Sequence, residues 1–345
     1  MSFASGASRR EFLKALAAIG AGAIAPANGL LAQGPLPPAR GSLRRIDVHH
    51  HMLPPFYMKL RQMPTRDWTP EQAIQAMDKH GIATAITSTM LLTENDPLID
   101  GTEKARGVAR EINEFGARMV RDYPARFGLF AALPWTDSEG TLREIEYAYD
   151  VLKTDGIGLW TSYGDKWLGD PIFAPAFEEL NRRKAVVFCH ATASNCCRSL
   201  FPGASPTRAE YDFDTTRTVE SLLINGTLAR FPDVRIIFCH SGGTLPVMAG
   251  RINDRFPKDR PELAPKGVLY EVKKLYYEVA HATYPAPLSA LMKLAPTSQI
   301  LFGTDYPPEP METTINPLAQ AGLSAQTLQA INRGNAERLF PRLKA

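Results

Sequence analysis

Three histidines stand in a row at the end of a short apolar segment, Ile46-Asp47-Val48-His49-His50-His51. The preceding residues read as a strand, and side chains alternate across a strand. His49 and His51 are therefore expected on one face and His50 on the other. Two imidazoles on one face can share a metal ion, although many His-x-His pairs end a strand with no such role. Three later apolar runs also end on groups able to bind metal. Ala185 to Cys189 leads to His190, Val234 to Cys239 leads to His240, and Gln299 to Phe302 leads through Gly303-Thr304 to Asp305. A divalent ion such as zinc takes neutral imidazoles and a carboxylate, and a catalytic site leaves one position open. His49, His51, His190 and Asp305 make such a set, with His240 as a further ligand or a nearby acid or base. An ion held there would acidify water or polarise a bound oxygen.

The elements that must position these groups follow from the hydrophobic pattern. Short, near-continuous apolar runs are expected as strands at Ile46–His51, Ile82–Thr87, Arg126–Leu133, Gly156–Trp160, Ala185–Cys189, Val234–Cys239, Lys274–Val279 and Gln299–Phe302. Amphipathic stretches lie between them. In residues 102–122, Val108, Ile112, Phe115 and Met119 recur at helical spacing. Thr69-Pro70-Glu71-Gln72 reads as a capping box with proline at the first helical position. Asp214 is expected to cap the helix after the fifth strand, residues 191–213 to be a long loop, and a loop to run from Pro54 to Trp68. Strands buried on both faces suit a parallel sheet covered by helices. Eight alternations point to an α/β fold, a (β/α)8 TIM-type barrel. Its active site belongs at the C-terminal strand ends, where the five groups fall. An open doubly wound sheet is the rival, but no Gly-x-Gly-x-x-Gly turn or Walker loop is present.

The chain has 345 residues, 44% hydrophobic and 22% charged, enough to bury a large core. Of the net charge of +3, residues 1–32 hold +2 (Arg9, Arg10 and Lys14 against Glu11), leaving about +1. That balance gives no reason to expect nucleic acid or an anionic membrane as partner. Cys189 and Cys239 sit inside strands and are expected as buried thiols facing away from the adjacent histidines. Cys196 and Cys197 are adjacent in a loop, where neither a vicinal disulfide nor a metal role is expected.

Ser8-Arg9-Arg10-Glu11-Phe12-Leu13-Lys14 with an Ala/Gly-rich apolar run resembles a twin-arginine export signal, too short for a membrane span. The expectation is a signal peptide over 1–32, a linker over 33–42, a single catalytic domain over 43–345 and a periplasmic or extracytoplasmic location.

Asp47-x-His49-x-His51, single histidines after strands five and six, and Thr304-Asp305 after strand eight resemble the amidohydrolase superfamily. Phe238-Cys239-His240-Ser241-Gly242-Gly243, Leu301-Phe302-Gly303-Thr304-Asp305-Tyr306-Pro307 and Arg333-Gly334-Asn335-Ala336-Glu337-Arg338-Leu339 resemble its branch with aminocarboxymuconate-semialdehyde and 6-methylsalicylate decarboxylases. Binuclear members place a bridging lysine after strand four. Here Leu159-Trp160-Thr161 ends that strand, so one divalent metal is expected, Zn2+ with Mn2+ as the alternative. The resemblance implies His49, His51, His190 and Asp305 as ligands and a proton donor in His240 or Asp305. It implies a small aromatic or enoic carboxylic acid as substrate, losing CO2 without redox chemistry. A hydrolase of amides or lactones on the same site is the alternative. The resemblance also implies a homodimer in which Arg251 holds substrate carboxylate in a neighbouring subunit's site. Arg217, near the barrel mouth, is a second substrate-binding candidate. Trp160, Phe56, Tyr57 and Trp68 are candidates for an aromatic pocket, and His281 is expected in a plain polar loop.

Overall fold

The computed structural model describes residues 45–62, 68–89 and 102–344. The expected export signal and linker lie outside them. Eight parallel strands form the central sheet: β1 Arg45–His51, β2 Ile82–Ser88, β3 Phe127–Ala131, β4 Gly156–Trp160, β5 Val186–His190, β6 Arg235–Phe238, β7 Tyr276–Glu278 and β8 Ile300–Leu301. Each pairs with its neighbours in sequence order. The last and first strands meet at a seam. Val48 N–H donates to Phe302 O at 3.0 Å, and beyond the strands Asp305 N–H donates to His49 O at 2.8 Å and His51 N–H to Tyr306 O at 2.7 Å. The sheet is a barrel rather than an open, doubly wound layer.

Alternation sorts the strand side chains. Along β5, Val186 and Phe188 belong to the barrel interior with Ile46, Val48, Phe130 and Ile237, whereas Val187 and Cys189 pack outward against the helices. From below, Leu339, Phe340 and Leu343 of the C-terminal segment join the interior cluster, and Phe340 packs 5.9 Å from Phe130. The N-terminal end of the barrel is thus an apolar plug.

The helices begin where local chemistry allows. At residues 70–79, Thr69 accepts from Gln72 N–H while the Gln72 side chain accepts from Thr69 N–H, and Gly81 leaves the helix at φ +66°. Asp137 caps Ser138–Glu146 by accepting from Gly140 N–H. Among the described residues no helix is long and apolar enough to cross a membrane.

Several expectations need correction. Pro54-Pro55 does break β1, but a six-residue helix, Pro55–Leu60, follows at once, because proline suits a first helical position. The helix after β5 begins at Glu210, earlier than expected. Asp214 therefore lies inside it, fully buried, accepting from Thr161 Oγ1 (2.6 Å), Ser162 Oγ (2.8 Å) and Trp167 Nε1 (2.8 Å). It ties the helix to the small hairpin after β4 instead of capping. Tyr57 and Trp68 are buried in the outer core, not in a pocket. Cys196 and Cys197 form a vicinal disulfide.

Candidate metal centre

At the C-terminal rim His49, His51, His190 and Asp305 converge from β1, β5 and the loop after β8. Strict alternation does not by itself aim β1. Asp47 pairs with Ala85 and His50 with Thr87, so three steps along β1 match two along β2. Such a bulge re-aims side chains, as is common beside active sites. His49 Nε2 and His51 Nε2 come within 3.2 Å of each other. His50 turns to Asp47 Oδ2 (3.1 Å) and packs against Tyr306.

Asp305 Oδ1 closes the nest, 2.8 Å from His51 Nε2, 3.1 Å from His49 Nε2 and 3.9 Å from His190 Nε2. His190 gives its Nδ1 proton to Ala191 O at 2.7 Å, which leaves Nε2 bare and aimed inward. That Nε2 is buried with no hydrogen-bond partner, as is His240 Nε2, 3.5 Å from Asp305 Oδ2. Buried polar atoms are ordinarily paired, so orphans in a polar nest call for a further ligand.

The electrostatics agree. Burial pushes the His190 pKa down to about 3, and burial also lowers His51, keeping both neutral and able to ligate. Burial would lower His49 too, but the Asp305 and Glu278 carboxylates raise it to about 10. Burial would raise Asp305, yet the charge of His49 and the imidazoles around it hold that carboxyl well below its ordinary range. Two buried carboxylates flank one imidazole, and the nest demands positive charge. One divalent ion fits the donor set of three imidazoles and a carboxylate.

Glu278, at the end of β7, was not apparent from sequence. It is fully buried; its Oε1 accepts from His49 Nδ1 (2.9 Å) and His240 N–H (2.6 Å), and its Oε2 from Ala280 N–H (2.6 Å). A carboxylate behind a ligand imidazole fixes its tautomer and raises its basicity. A Cβ at Gly303 would collide with Glu278 Oε2 and stand 2.8 Å from His49 Cβ, so the close approach requires glycine there. Asp47 plays the matching part across the seam. Its Oδ1 accepts from His49 N–H (3.0 Å) and Thr304 N–H (3.1 Å), and its Oδ2 from Thr304 Oγ1 (2.6 Å).

His240 reaches the rim by an unexpected route. Cys239 lies in the barrel interior, not outside it, on the same side as Ile237; His240 nevertheless reaches that side too, because β6 ends at Phe238 and His240 and Ser241 turn at φ +52° and +57°. His281 also faces the nest, with Nε2 2.9 Å from Asp305 Oδ2. It is not a plain loop residue. Trp160 ends β4 with its ring edge-on to His190 at 5.2 Å. The two arginine candidates are not brought into the nest. Arg217 lines an outer groove with Trp167 and Glu220 and lies 3.4 Å from Glu210 Oε2. Arg251 is exposed on helix Leu245–Arg255 and makes no ion pair with the described residues.

A closed parallel barrel with this nest defines a metal-dependent barrel enzyme, and the chain belongs to the amidohydrolase family, whose model matches residues 46–342. Among its relatives, "Decarboxylase macB" of Penicillium terrestre is 34% identical over 330 residues, covering 88% of this chain and 96% of that protein. The 6-methylsalicylic acid decarboxylase of Penicillium expansum is 32% identical over 320 residues, covering 88% and 98%. A dihydroxybenzoic acid decarboxylase from Polaromonas sp. JS666, solved with manganese and 2-nitroresorcinol, has the same fold. Its TM-score is 0.75 at 22% identity, covering 87% of this chain and 98% of that one.

Proposed function

We propose that this chain is a metal-dependent, non-oxidative decarboxylase of a small aromatic carboxylic acid resembling 6-methylsalicylate. The observation that carries the reading is His240 Nε2, buried and without a partner beside the nest of His49, His51, His190 and Asp305. The decarboxylase relatives at 32–34% identity support it.

His49, His51, His190 and Asp305 would hold the ion, Zn2+ with Mn2+ as the alternative, which would supply Lewis-acid charge to the bound carboxylic acid. The chain's own groups do the rest. Asp305 Oδ1 is committed to the nest, so His240 is the proton donor. Its Nε2 proton passes to the ring carbon that carries the carboxylate. The bond from that carbon to the carboxylate then breaks, its electron pair returns to the ring, and CO2 leaves. His240 recovers a proton from water. Such a donor must come within hydrogen-bond reach of that carbon. Glu278 holds His49 and the backbone of His240 in one frame, and Trp160 walls the nest beside His190.

The test is product analysis of metal-loaded protein with a panel of 2-hydroxybenzoates in D2O. Equimolar CO2 and phenol, with deuterium at the vacated carbon, are expected. Solvent 18O entering an amide or lactone substrate, with no CO2 from any acid, would replace this reading with a hydrolase.

Two further expectations belong to the same proposal. Arg251 stands exposed near Val247 and Met248, also exposed, which suits a homodimer partner; light scattering of the purified chain measures the mass. Residues 1–32 serve twin-arginine export, which N-terminal sequencing of the secreted protein tests.

A further inference from the structure

We infer that His281 is a positioning residue for the metal site: it pins the outer oxygen of Asp305 so that the carboxylate meets the ion through one oxygen only. The inference rests on the metal-site reading above and adds a residue to it.

The two oxygens of Asp305 face different groups. Oδ1 faces His49, His51 and His190 at 3.1, 2.8 and 3.9 Å. Oδ2 faces His281 Nε2 at 2.9 Å and His240 Nε2 at 3.5 Å, and only the shorter contact is a hydrogen bond. The terminal torsion of an aspartate is soft and roughly two-fold. Unrestrained, the carboxylate could rotate and give both oxygens to one ion, filling the position a substrate oxygen needs. The bond from His281 Nε2–H removes that freedom.

The backbone is shaped to deliver this contact. His240, Asp305 and His281 all adopt left-handed φ, +52°, +61° and +57°, just past the ends of β6, β8 and β7. Non-glycine residues bear a cost there, and such outliers cluster at ligand clamps. The turn carrying His281 is itself fixed, because Glu278 Oε2 accepts from Ala280 N–H at 2.6 Å. One carboxylate therefore sets both His49 and the base of the His281 turn. The His281 side chain is 40% exposed, so its far edge meets solvent and packing demands little of it.

The experiment measures metal uptake without substrate, so it stands or fails apart from decarboxylation. Apo protein is titrated with Zn2+ against a fluorescent chelator, and Co2+ is used for visible absorption. His281→Ala is expected to bind one ion per chain 10–100-fold more weakly, the range typical of a lost outer partner. Its Co2+ absorption is expected to weaken as a second carboxylate oxygen joins the ion. His281→Gln, which keeps an N–H for Asp305, is expected to recover most of the affinity. Wild-type affinity in His281→Ala, or no recovery in His281→Gln, overturns the inference. So do two ions in the wild type and one in His281→Ala, because His281 would then be a ligand of a second ion.

Discussion

The two ends of the barrel are built on opposite principles. At the floor, Ile46 and Phe130 meet Leu339, Phe340 and Leu343 in an apolar plug. At the rim β1 and β5 end in imidazoles, carboxylates join from β7 and the loop after β8, and orphaned nitrogens stand beside four non-glycine residues at left-handed φ. One end maximises burial, while the other holds charge and strain that the protein alone leaves uncompensated. Damage at the floor should therefore cost stability, and damage at the rim should cost ligand binding.

The strongest attempt to break that division is to remove a ligand. His190→Ala or Asp305→Ala should lose more activity than the 10–100-fold typical of an outer partner. In calorimetry the wild type should gain about 2.7 kcal/mol with metal at 100 times Kd, and these variants almost nothing. Apo midpoints close to wild type are expected; a collapse of the apo fold would show that the rim is structural after all. At the floor, Phe340→Ala should cost about 3–5 kcal/mol in urea unfolding while folded protein still binds one ion. A smaller effect belongs to Glu278→Gln, which should weaken metal about 10–100-fold and leave the stoichiometry unchanged.

The smallest effect lies outside both regions. Asp137→Ala removes a helix cap and should cost about 1 kcal/mol. The hydrogen bond from Arg106, opposed by burial, holds the Asp137 carboxyl below its ordinary value. The folded pKa is thus depressed below the unfolded value of about 3.9, so the stabilisation is present above that pH and disappears as pH falls through the folded value. The penalty of Asp137→Ala should be full at neutral pH and shrink under acid conditions.

Much of this division could be read from sequence. Apolar runs that end in His51, His190 and His240 show both the strands and the group each delivers. What stayed hidden is whatever depends on the chain's direction after a strand stops. Cys239 and His240 share the barrel side because of a left-handed turn, which alternation does not foresee. His281 looked like a polar loop for the same reason. Glu278 sits in Tyr276-Tyr277-Glu278-Val279, where one acid in an apolar strand gives no hint of three acceptor contacts. Asp214 was misjudged because its partners, Thr161, Ser162 and Trp167, are some fifty positions away.

The seam carries one more consequence. His49 and His51 come from the first strand and Asp305 from beyond the last, so an ion held between them would act as a clasp on a cylinder whose two free edges are farthest apart in sequence. Fraying along that join and release of the ion would then be one linked equilibrium. Amide exchange at Val48 and Asp305, both engaged across the join, should slow on loading far more than exchange at the pairing of β3 with β4.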